Sequence, residues 1–411
     1  MGKRRFWLGW LMAIAVLVSS LVWTPQALAF TEDQKVFLQA WRIVNQSYVD
    51  DSFNGQNWWF MRQRYLQHPF RDREDAYEAI DEMLASLDDP YTRLLRPEEY
   101  RSLQVSTSGE LTGIGVQINL EPQTLQLQVI SPIAGSPAER AGIRAGDRIL
   151  EIDGVSTQNL SLDEAAMKMR GKIGTRVVLT LDHEEETEEK TVEIVRDRII
   201  LKAVSANLDT TGTIPIGYLR LSQFSANATQ ELARAIAALG DRGAKGYILD
   251  LRNNPGGLLQ AGVGIARLWL NDVPIVYTVN RQGMLGSFDA DRGAITDSPL
   301  VVLVNQGSAS ASEILAGALQ DNHRAKLLGE TTFGKGLIQS LFELPDDSGL
   351  AVTVAKYETP SHHDINKLGI TPDQIVAQEP ISLQEIGGDR DLQYQAAIEL
   401  LEAKSILANV T

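Results

Sequence analysis

The spacing of apolar residues divides the chain into a helical first part, a strand-rich middle part and an alternating last part. Near the amino terminus, apolar residues recur at three- and four-residue intervals, as on one buried helix face: Val36, Phe37, Ala40, Trp41 and Val44. The segment 76–87 repeats this spacing and is closed by Asp88-Asp89-Pro90. We therefore predict a helical domain over residues 30–105.

From about residue 106, glycines and short β patterns replace the helical period. Strands are predicted over 147–152, 177–181 and 191–195, with helices over 136–141 and 162–170. From residue 199 onward, predicted strands at 216–221, 246–251, 275–279 and 300–304 alternate with helices at 229–239, 259–270 and 312–319. Such alternation indicates an α/β layer around a largely buried sheet. A last helix is predicted over 392–407.

Composition narrows the function classes. A chain of 411 residues is too long for one ordinary core, so two or three folded units are expected. The net charge of −15 repels phosphate backbones, and nucleic acid is therefore not an expected partner. The chain has no cysteine, which excludes a thiol nucleophile, a disulfide framework and a thiolate metal site.

The first 29 residues have the layout of a secretory signal peptide. Lys3-Arg4-Arg5 precedes an apolar run over 6–22, and Ala27-Leu28-Ala29 provides a cleavage site before Phe30. The alternative is an uncleaved membrane anchor, for which the run is slightly short. We expect an exported protein.

Three segments carry residues suited to catalysis. In the first, Ser308, Ser310 and Ser312 lie between the apolar strand 300–304 and the following helix, where free backbone N–H groups could stabilise an oxyanion. Serines also cap helices without any catalytic role. The second segment is 250–257, in which Gly256 and Gly257 could direct an N–H group at a substrate carbonyl or could simply form a turn.

The third segment, Thr332-Phe333-Gly334-Lys335-Gly336, offers a base for a serine. A lysine among small residues and beside an aromatic ring can be drawn into an apolar site, where burial lowers its pKa. An isolated Gly-Lys-Gly is more commonly a surface turn. Histidine is the other candidate base, although no histidine stands in a recognisable triad context: His68, His183, His323, His362 and His363.

Together these segments resemble the carboxyl-terminal processing peptidases, also called tail-specific proteases, from about residue 37 to residue 401. The resemblance implies a multidomain α/β fold with a helical amino-terminal domain, a PDZ-like β domain and a crotonase-like serine protease core. It identifies Ser310, which lies 25 positions before Lys335, as the nucleophile of a Ser–Lys dyad. It further implies supporting roles for Gln339 and Asp321, with Gly256 and Ala311 as oxyanion donors. No metal or organic cofactor is expected.

Residues 106–198 resemble the PDZ domain of this family. Gly113-Ile114-Gly115-Val116 occupies the position of the carboxylate-binding loop, so the resemblance implies capture of a substrate's free carboxyl terminus. Arg170 matches a position that couples the PDZ domain to the active site in relatives, but it could equally be a cation at a helix carboxyl terminus. The implied division is 1–29 signal peptide, 30–105 helical domain, 106–198 PDZ-like domain and 199–411 protease core with its carboxyl-terminal helix.

Segments 37–41, 52–56 and 87–93 are similar to the photosynthetic branch of the family. That branch trims the precursor of the D-one (D1) reaction-centre protein of photosystem II in the thylakoid lumen. The resemblance implies that the partners are the carboxyl-terminal tails of proteins, in particular that of the D1 precursor. It also implies a soluble mature enzyme that acts on a membrane-proximal substrate in the thylakoid lumen or periplasm. Alternatives are a broader quality-control protease, a PDZ scaffold with an inactive protease core, and a crotonase-type acyl-CoA enzyme.

Overall fold

The computed structural model describes residues 30–67, 69–121, 124, 126–183, 189–382 and 384–410. The predicted signal peptide and His68 lie outside this range. Within it, none of the helices has both the length and the apolar character needed to cross a membrane.

Three helices form the amino-terminal unit: α1 (Glu32–Ser47), α2 (Trp58–Leu66) and α3 (Arg73–Ala85). Each begins at a residue whose side chain accepts a backbone N–H, namely Thr31, Asn57 and Asp72. The predicted apolar faces of α1 and α3 are buried. Their core also contains Leu344, Leu350 and Val352 from far along the chain, so this unit shares its core with the carboxyl-terminal part of the chain.

The PDZ-like unit is an antiparallel sheet with two short helices. Its strands run in the order β3-β4-β5-β7-β8, with β6 beside β5: β3 (Val116–Leu120), β4 (Leu127–Pro132), β5 (Arg148–Ile152), β6 (Val155–Ser156), β7 (Arg176–Asp182) and β8 (Lys190–Val195). The helices are α5 (Pro137–Arg140) and α6 (Leu162–Met169). The buried Arg196 side chain donates to the carbonyls of Lys168 and Met169 and thereby caps α6.

The predicted boundary between residues 105 and 106 falls inside helix α4 (Pro97–Ser108). After it, β2 (Glu110–Gly113) pairs with β9 (Asp197–Ile200), so the two ends of the PDZ-like unit lie side by side. The PDZ-like unit is therefore an insertion between the amino-terminal unit and the rest of the chain, and it begins and ends at the strand pair β2–β9.

The carboxyl-terminal α/β core contains a six-stranded sheet in the order β10-β11-β12-β15-β16-β19, parallel except for β10. These strands are β10 (Val204–Asp209), β11 (Ile216–Leu221), β12 (Gly246–Asp250), β15 (Leu300–Val304), β16 (Lys326–Gly329) and β19 (Gln374–Ile375). Every residue of β12 and β15 is buried. The apolar runs that predicted these strands therefore reflect burial on both faces.

Helices cover both faces of this sheet. One face packs on α7 (Ala228–Asp241), α8 (Leu259–Ala266) and α9 (Ala311–Asp321), and the other on α10 (Leu392–Val410). Helix α8 ends earlier than the predicted residue 270. A buried Arg252 between Asp250 and Asp391, with nitrogen–oxygen distances of 2.7 Å to each, ties the end of β12 to the start of α10.

A second sheet joins the amino-terminal unit to the core. Strand β18 (Gly349–Glu358) is its centre and pairs with β1 (Arg93–Leu95), β13 (Val273–Asn280) and β17 (Leu337–Glu343), while β14 (Gly283–Ala290) pairs with β13. Only β13 was predicted in part. The residues after β16 and before β17 carry the predicted catalytic lysine.

Candidate active site

The three segments singled out in the sequence meet at one place. The loop after β12 contacts the turn after β15, because Ala309 N–H donates to the Asn254 carbonyl at 3.0 Å. The turn after β15 contacts the lysine loop through Phe333 N–H and the Ser308 carbonyl, also at 3.0 Å. Ser310 and Lys335 line the same cleft, which has a volume of about 720 Å³.

The structure separates the three serines by their contacts. Ser308 and Ser312 are fully buried, and their hydroxyls donate to the carbonyls of Leu251 at 2.8 Å and Asn254 at 2.9 Å. Ser310 instead lies in the cleft with φ +56° and ψ −116°, a backbone conformation that non-glycine residues rarely adopt. A strained serine at a strand–helix turn is typical of an exposed nucleophile, whereas the other two hold the turn in place.

Glu313 is the residue that the sequence analysis missed. Its fully buried carboxylate accepts four hydrogen bonds, from Ser310 N at 2.9 Å, Lys335 N at 2.8 Å, Gly334 N at 2.7 Å and Thr332 Oγ1 at 2.6 Å. One side chain therefore anchors the backbone of the candidate nucleophile and that of the candidate base. The signal was present as the Ser-x-x-Glu spacing, which in general indicates only a helix cap.

Lys335 is half-buried beside residues of the amino-terminal unit. Its Nζ atom lies 4.8 Å from the ring centroid of Tyr91. Burial lowers the pKa of its ammonium group, and the positive charge of Arg93 lowers it further. The carboxylates of Asp89 and Glu313 oppose this shift without reversing it.

Within the described residues, no hydrogen bond joins Lys335 Nζ to Ser310 Oγ; the lysine lies over Tyr91 instead. The backbones of the two residues are nevertheless joined a second time. The buried Tyr357 hydroxyl donates to the Ser310 carbonyl at 3.2 Å and also to the Lys335 carbonyl. The two backbones are thus joined through Tyr357 as well as through Glu313.

Of the two predicted oxyanion donors, one is engaged. Gly256 N–H donates to Asn254 Oδ1 at 2.9 Å, which makes it unavailable to a substrate oxygen in this conformation. Ala311 N–H, at the start of α9, makes no hydrogen bond within the described residues. Gly256 is still close to the nucleophile, since a Cβ atom built on it would lie 2.9 Å from Ser310 Cβ. Its φ of +98° also favours glycine.

The two supporting residues differ in position. Gln339 lines the cleft and its amide donates to Thr353 Oγ1 at 3.3 Å. Asp321 does not line it: it ends α9, about 16 Å along the helix from Ser310 at 1.5 Å per residue, and accepts Ser361 N–H at 2.9 Å. The supporting role of Asp321 therefore stays a prediction, and Glu313 is the carboxylate that contacts both Ser310 and Lys335.

No histidine of the described part lines the cleft. His183 pairs with Asp147 in the PDZ-like unit, and His362 stacks on Tyr277 with ring centroids 4.3 Å apart. Among the residues that the structure describes at the cleft, Lys335 is thus the side chain suited to act as a base.

The predicted carboxylate loop lies between β2 and β3. Its Ile114 and Gly115 carbonyls accept N–H groups of α5 and the preceding turn, and within the described residues the N–H groups of these two residues donate no hydrogen bond. Gly115 has φ +80°, and a Cβ atom there would lie 2.4 Å from Ser136 Cβ. Arg170 ends α6 and lies beside the loop, with its Cγ 3.7 Å from a Cβ built on Gly113.

Comparisons with known proteins concern the domains of the chain rather than single residues of the site. The sequence model of peptidase family S41 matches residues 215–376, and that of the PDZ domain matches residues 128–182. A carboxyl-terminal-processing protease of Synechocystis sp. is 60% identical, with 100% of this chain and 96% of the relative covered. The chloroplastic carboxyl-terminal-processing peptidase 3 of Arabidopsis thaliana is 44% identical, with 84% and 69% covered.

A solved structure, that of a photosystem II D1 carboxyl-terminal processing protease, is 39% identical to the chain. It aligns with a TM-score of 0.57 and covers 88% of this chain and 99% of the solved one. The similarity thus extends over the helical, PDZ-like and protease parts together.

Proposed function

The chain belongs to peptidase family S41 as a carboxyl-terminal-processing protease, and from that premise we propose that Ser310 and Lys335 are its catalytic dyad. The observation that carries this assignment is the Glu313 carboxylate, which accepts the backbone N–H groups of both residues. A single anchor for two residues 25 positions apart keeps them in one cleft.

The proposed reaction follows the chemistry of a serine and a neutral amine. Ser310 Oγ attacks the scissile carbonyl carbon while its proton passes to Lys335 Nζ, which has a lone pair only when uncharged. The tetrahedral intermediate then expels the amine, which takes that proton as the C–N bond breaks. Water, deprotonated by the same lysine, hydrolyses the remaining ester and restores Ser310.

Two rearrangements are part of this proposal. Lys335 leaves the face of Tyr91 by a change of rotamer and reaches Ser310 Oγ, and Gln339 in the same cleft orients it. Ala311 N–H binds the oxyanion directly, while Gly256 N–H joins it only after releasing Asn254 Oδ1. The conformation described here is accordingly a resting one.

Substrate selection is proposed to begin at the PDZ-like unit. The unbonded N–H groups of Ile114 and Gly115 suit a terminal carboxylate, and the nearby Arg170 adds a positive charge. The tail would continue into the cleft that holds Ser310. Arg170 also lies beside Gly113, which pairs with Asp197 of β9, and this position supports a role in coupling the two sites.

We further propose the D1 precursor of photosystem II as the substrate and the thylakoid lumen or periplasm as the compartment. The solved relative is named for D1 processing, and the cyanobacterial and chloroplastic relatives align with 100% and 84% of this chain. The predicted signal peptide supports export. A peptide carrying the carboxyl-terminal extension of D1 tests the substrate: cleavage with no preference over unrelated free-ended peptides would favour a broader quality-control protease.

The test of the dyad compares three serine variants. Ser310→Ala should abolish hydrolysis of a peptide with a free carboxyl terminus and leave the thermal unfolding temperature unchanged within about 2 °C, since Ser310 is not buried. Ser308→Ala and Ser312→Ala are matched controls that should lower stability and retain turnover. Near-normal turnover in Ser310→Ala would refute the assignment of the nucleophile.

A further inference from the structure

The amino-terminal unit carries an aromatic and cationic surface that shares no lining residue with the active-site cleft. This basic aromatic surface consists of Phe30, Lys35, Arg42, Trp59, Phe60 and Arg62. It surrounds a separate cleft of about 630 Å³, which Phe30, Trp59 and the three cationic residues line.

The aromatic residues of this surface are exposed to solvent, and two of them belong to a helix that also has a buried side. Helix α2 packs inward through Trp58 and Met61, whereas Trp59 and Phe60 are 59% and 58% exposed. Of the four Phe, Trp and Tyr side chains exposed in the described part of the chain, Phe333 lies elsewhere and the other three belong here. Clustered exposed rings mark an interaction site.

Charge distinguishes this surface from the rest of the molecule. The chain carries a net charge of −15, yet the cleft is lined by Lys35, Arg42 and Arg62 and by no acidic residue. Lys35 pairs with the exposed Glu32 at 2.6 Å. Arg42 and Arg62, in contrast, form no ion pair with a carboxylate among the residues described.

The cations and the rings are arranged as one unit. The Arg62 guanidinium lies 5.2 Å from the ring centroid of Trp41 and 5.4 Å from that of Trp59. The Trp41 and Trp59 rings are themselves 5.2 Å apart, edge to face. Stacking holds Arg62 at the surface beside Trp59, so that one partner can contact an aromatic ring and a positive charge at the same place.

We propose that the basic aromatic surface docks on a lipid bilayer that contains anionic headgroups. Tryptophan and phenylalanine partition into the interface between headgroups and acyl chains, and arginine binds the phosphates. Phe30, which borders the cleft, directly follows the segment 1–29, whose apolar run 6–22 is predicted to enter a membrane during export. A second copy of the chain is a poorer partner, because two such surfaces would bring like charges together.

This inference is independent of the dyad assignment and is tested by vesicle flotation without substrate. The protein begins at Phe30 and retains every described element. Vesicles are made of phosphatidylcholine alone or mixed with an equal part of phosphatidylglycerol. We expect at least about tenfold stronger binding to the anionic vesicles, weakened by added salt.

Two pairs of variants make the prediction specific. The double variant Arg42→Gln with Arg62→Gln should bind anionic vesicles about thirtyfold more weakly than the wild type. The double variant Trp59→Ser with Phe60→Ser should bind them at least about tenfold more weakly. The matched controls, exposed Arg242→Gln and Ile375→Ser, should bind as wild type. Brominated lipid should quench tryptophan fluorescence in the wild type, and Trp59→Phe should bind with less quenching.

Equal binding to neutral and anionic vesicles, or full binding by the double-arginine variant, would overturn the proposal. Absence of any vesicle binding would do the same. The proposal would also be overturned if the protein formed dimers without lipid and the double variant Trp59→Ser with Phe60→Ser dissociated them. The surface would then be an interface between copies of the chain.

Discussion

Replacing Glu313 with glutamine tests the anchor on which the active site depends. The carboxylate offers two acceptor oxygens to four donors, whereas the amide has one oxygen and a donor NH₂ group. If the amide oxygen of the variant accepts from Thr332 and Gly334, its NH₂ group faces the N–H groups of Ser310 and Lys335. Two buried donors would then have no acceptor.

The magnitude follows from the cost of each unsatisfied donor. At about 1 to 3 kcal/mol for each, the variant should lose about 2 to 6 kcal/mol in free energy of unfolding. The site can relieve this cost only by moving Ser310 and Lys335 apart. If about 3 kcal/mol is expressed as their misplacement in the transition state, kcat falls about a hundredfold while KM changes little.

The assay measures kcat and KM for a free-ended peptide together with urea unfolding, at a temperature where both proteins are folded. Glu231 provides the matched control, because its carboxylate also accepts two backbone N–H groups, from Ala203 and Val204, and does not line the cleft. Glu231→Gln should lose stability and keep kcat. If Glu313→Gln loses stability and keeps kcat within about twofold of wild type, Glu313 supports the fold but not catalysis.

Three further predictions address the base, the core and the tail. Because burial lowers the pKa of Lys335, kcat/KM should rise with pH through that depressed pKa and reach a plateau at a pH below 10.5. Lys335→Arg should be inactive, because arginine stays protonated, and activity in this variant would assign the base to another residue. Arg252→Leu leaves Asp391 buried without its cation and Asp250 with Arg220 alone, and it should lower the free energy of unfolding in urea by about 3 to 5 kcal/mol. An unchanged midpoint would contradict the role of these ion pairs in joining β12 to α10. Amidating a substrate terminus should raise KM at least about tenfold with kcat nearly unchanged, and equal KM values would remove the carboxylate role of the loop 113–116.

Much of the parallel sheet could be predicted from the sequence, because strands buried on both faces leave continuous apolar runs. Leu300–Val304 is such a run, and the structure places it as predicted. The second sheet was missed except for part of one strand. Gly283–Ala290 contains two glycines, and Leu337–Glu343 is only partly buried along its length, so neither shows a clear period. Their pairing is determined by distant partners.

The candidate site shows the same limit at the level of single hydrogen bonds. The family resemblance predicted Ser310 and Lys335 as the dyad, but it did not predict the φ angle that distinguishes Ser310 from its neighbours. The pattern predicted Gly256 as a donor, yet its N–H is taken by Asn254 only because the loop folds back on itself. The bonds of Glu313 to the lysine loop likewise depend on tertiary structure that a local Ser-x-x-Glu motif does not contain.

Strand β1 has a consequence for the biogenesis of this protease. Arg93–Leu95 pairs with Gly349–Ala351 in β18, and Tyr91 and Arg93, next to and within this strand, line the cleft that holds Lys335. During synthesis, β1 leaves the ribosome long before its partner strand has been made. The complete cleft can therefore form only after most of the chain is available, so the pairing of β1 with β18 leaves the peptidase without a complete active site while it is being synthesised.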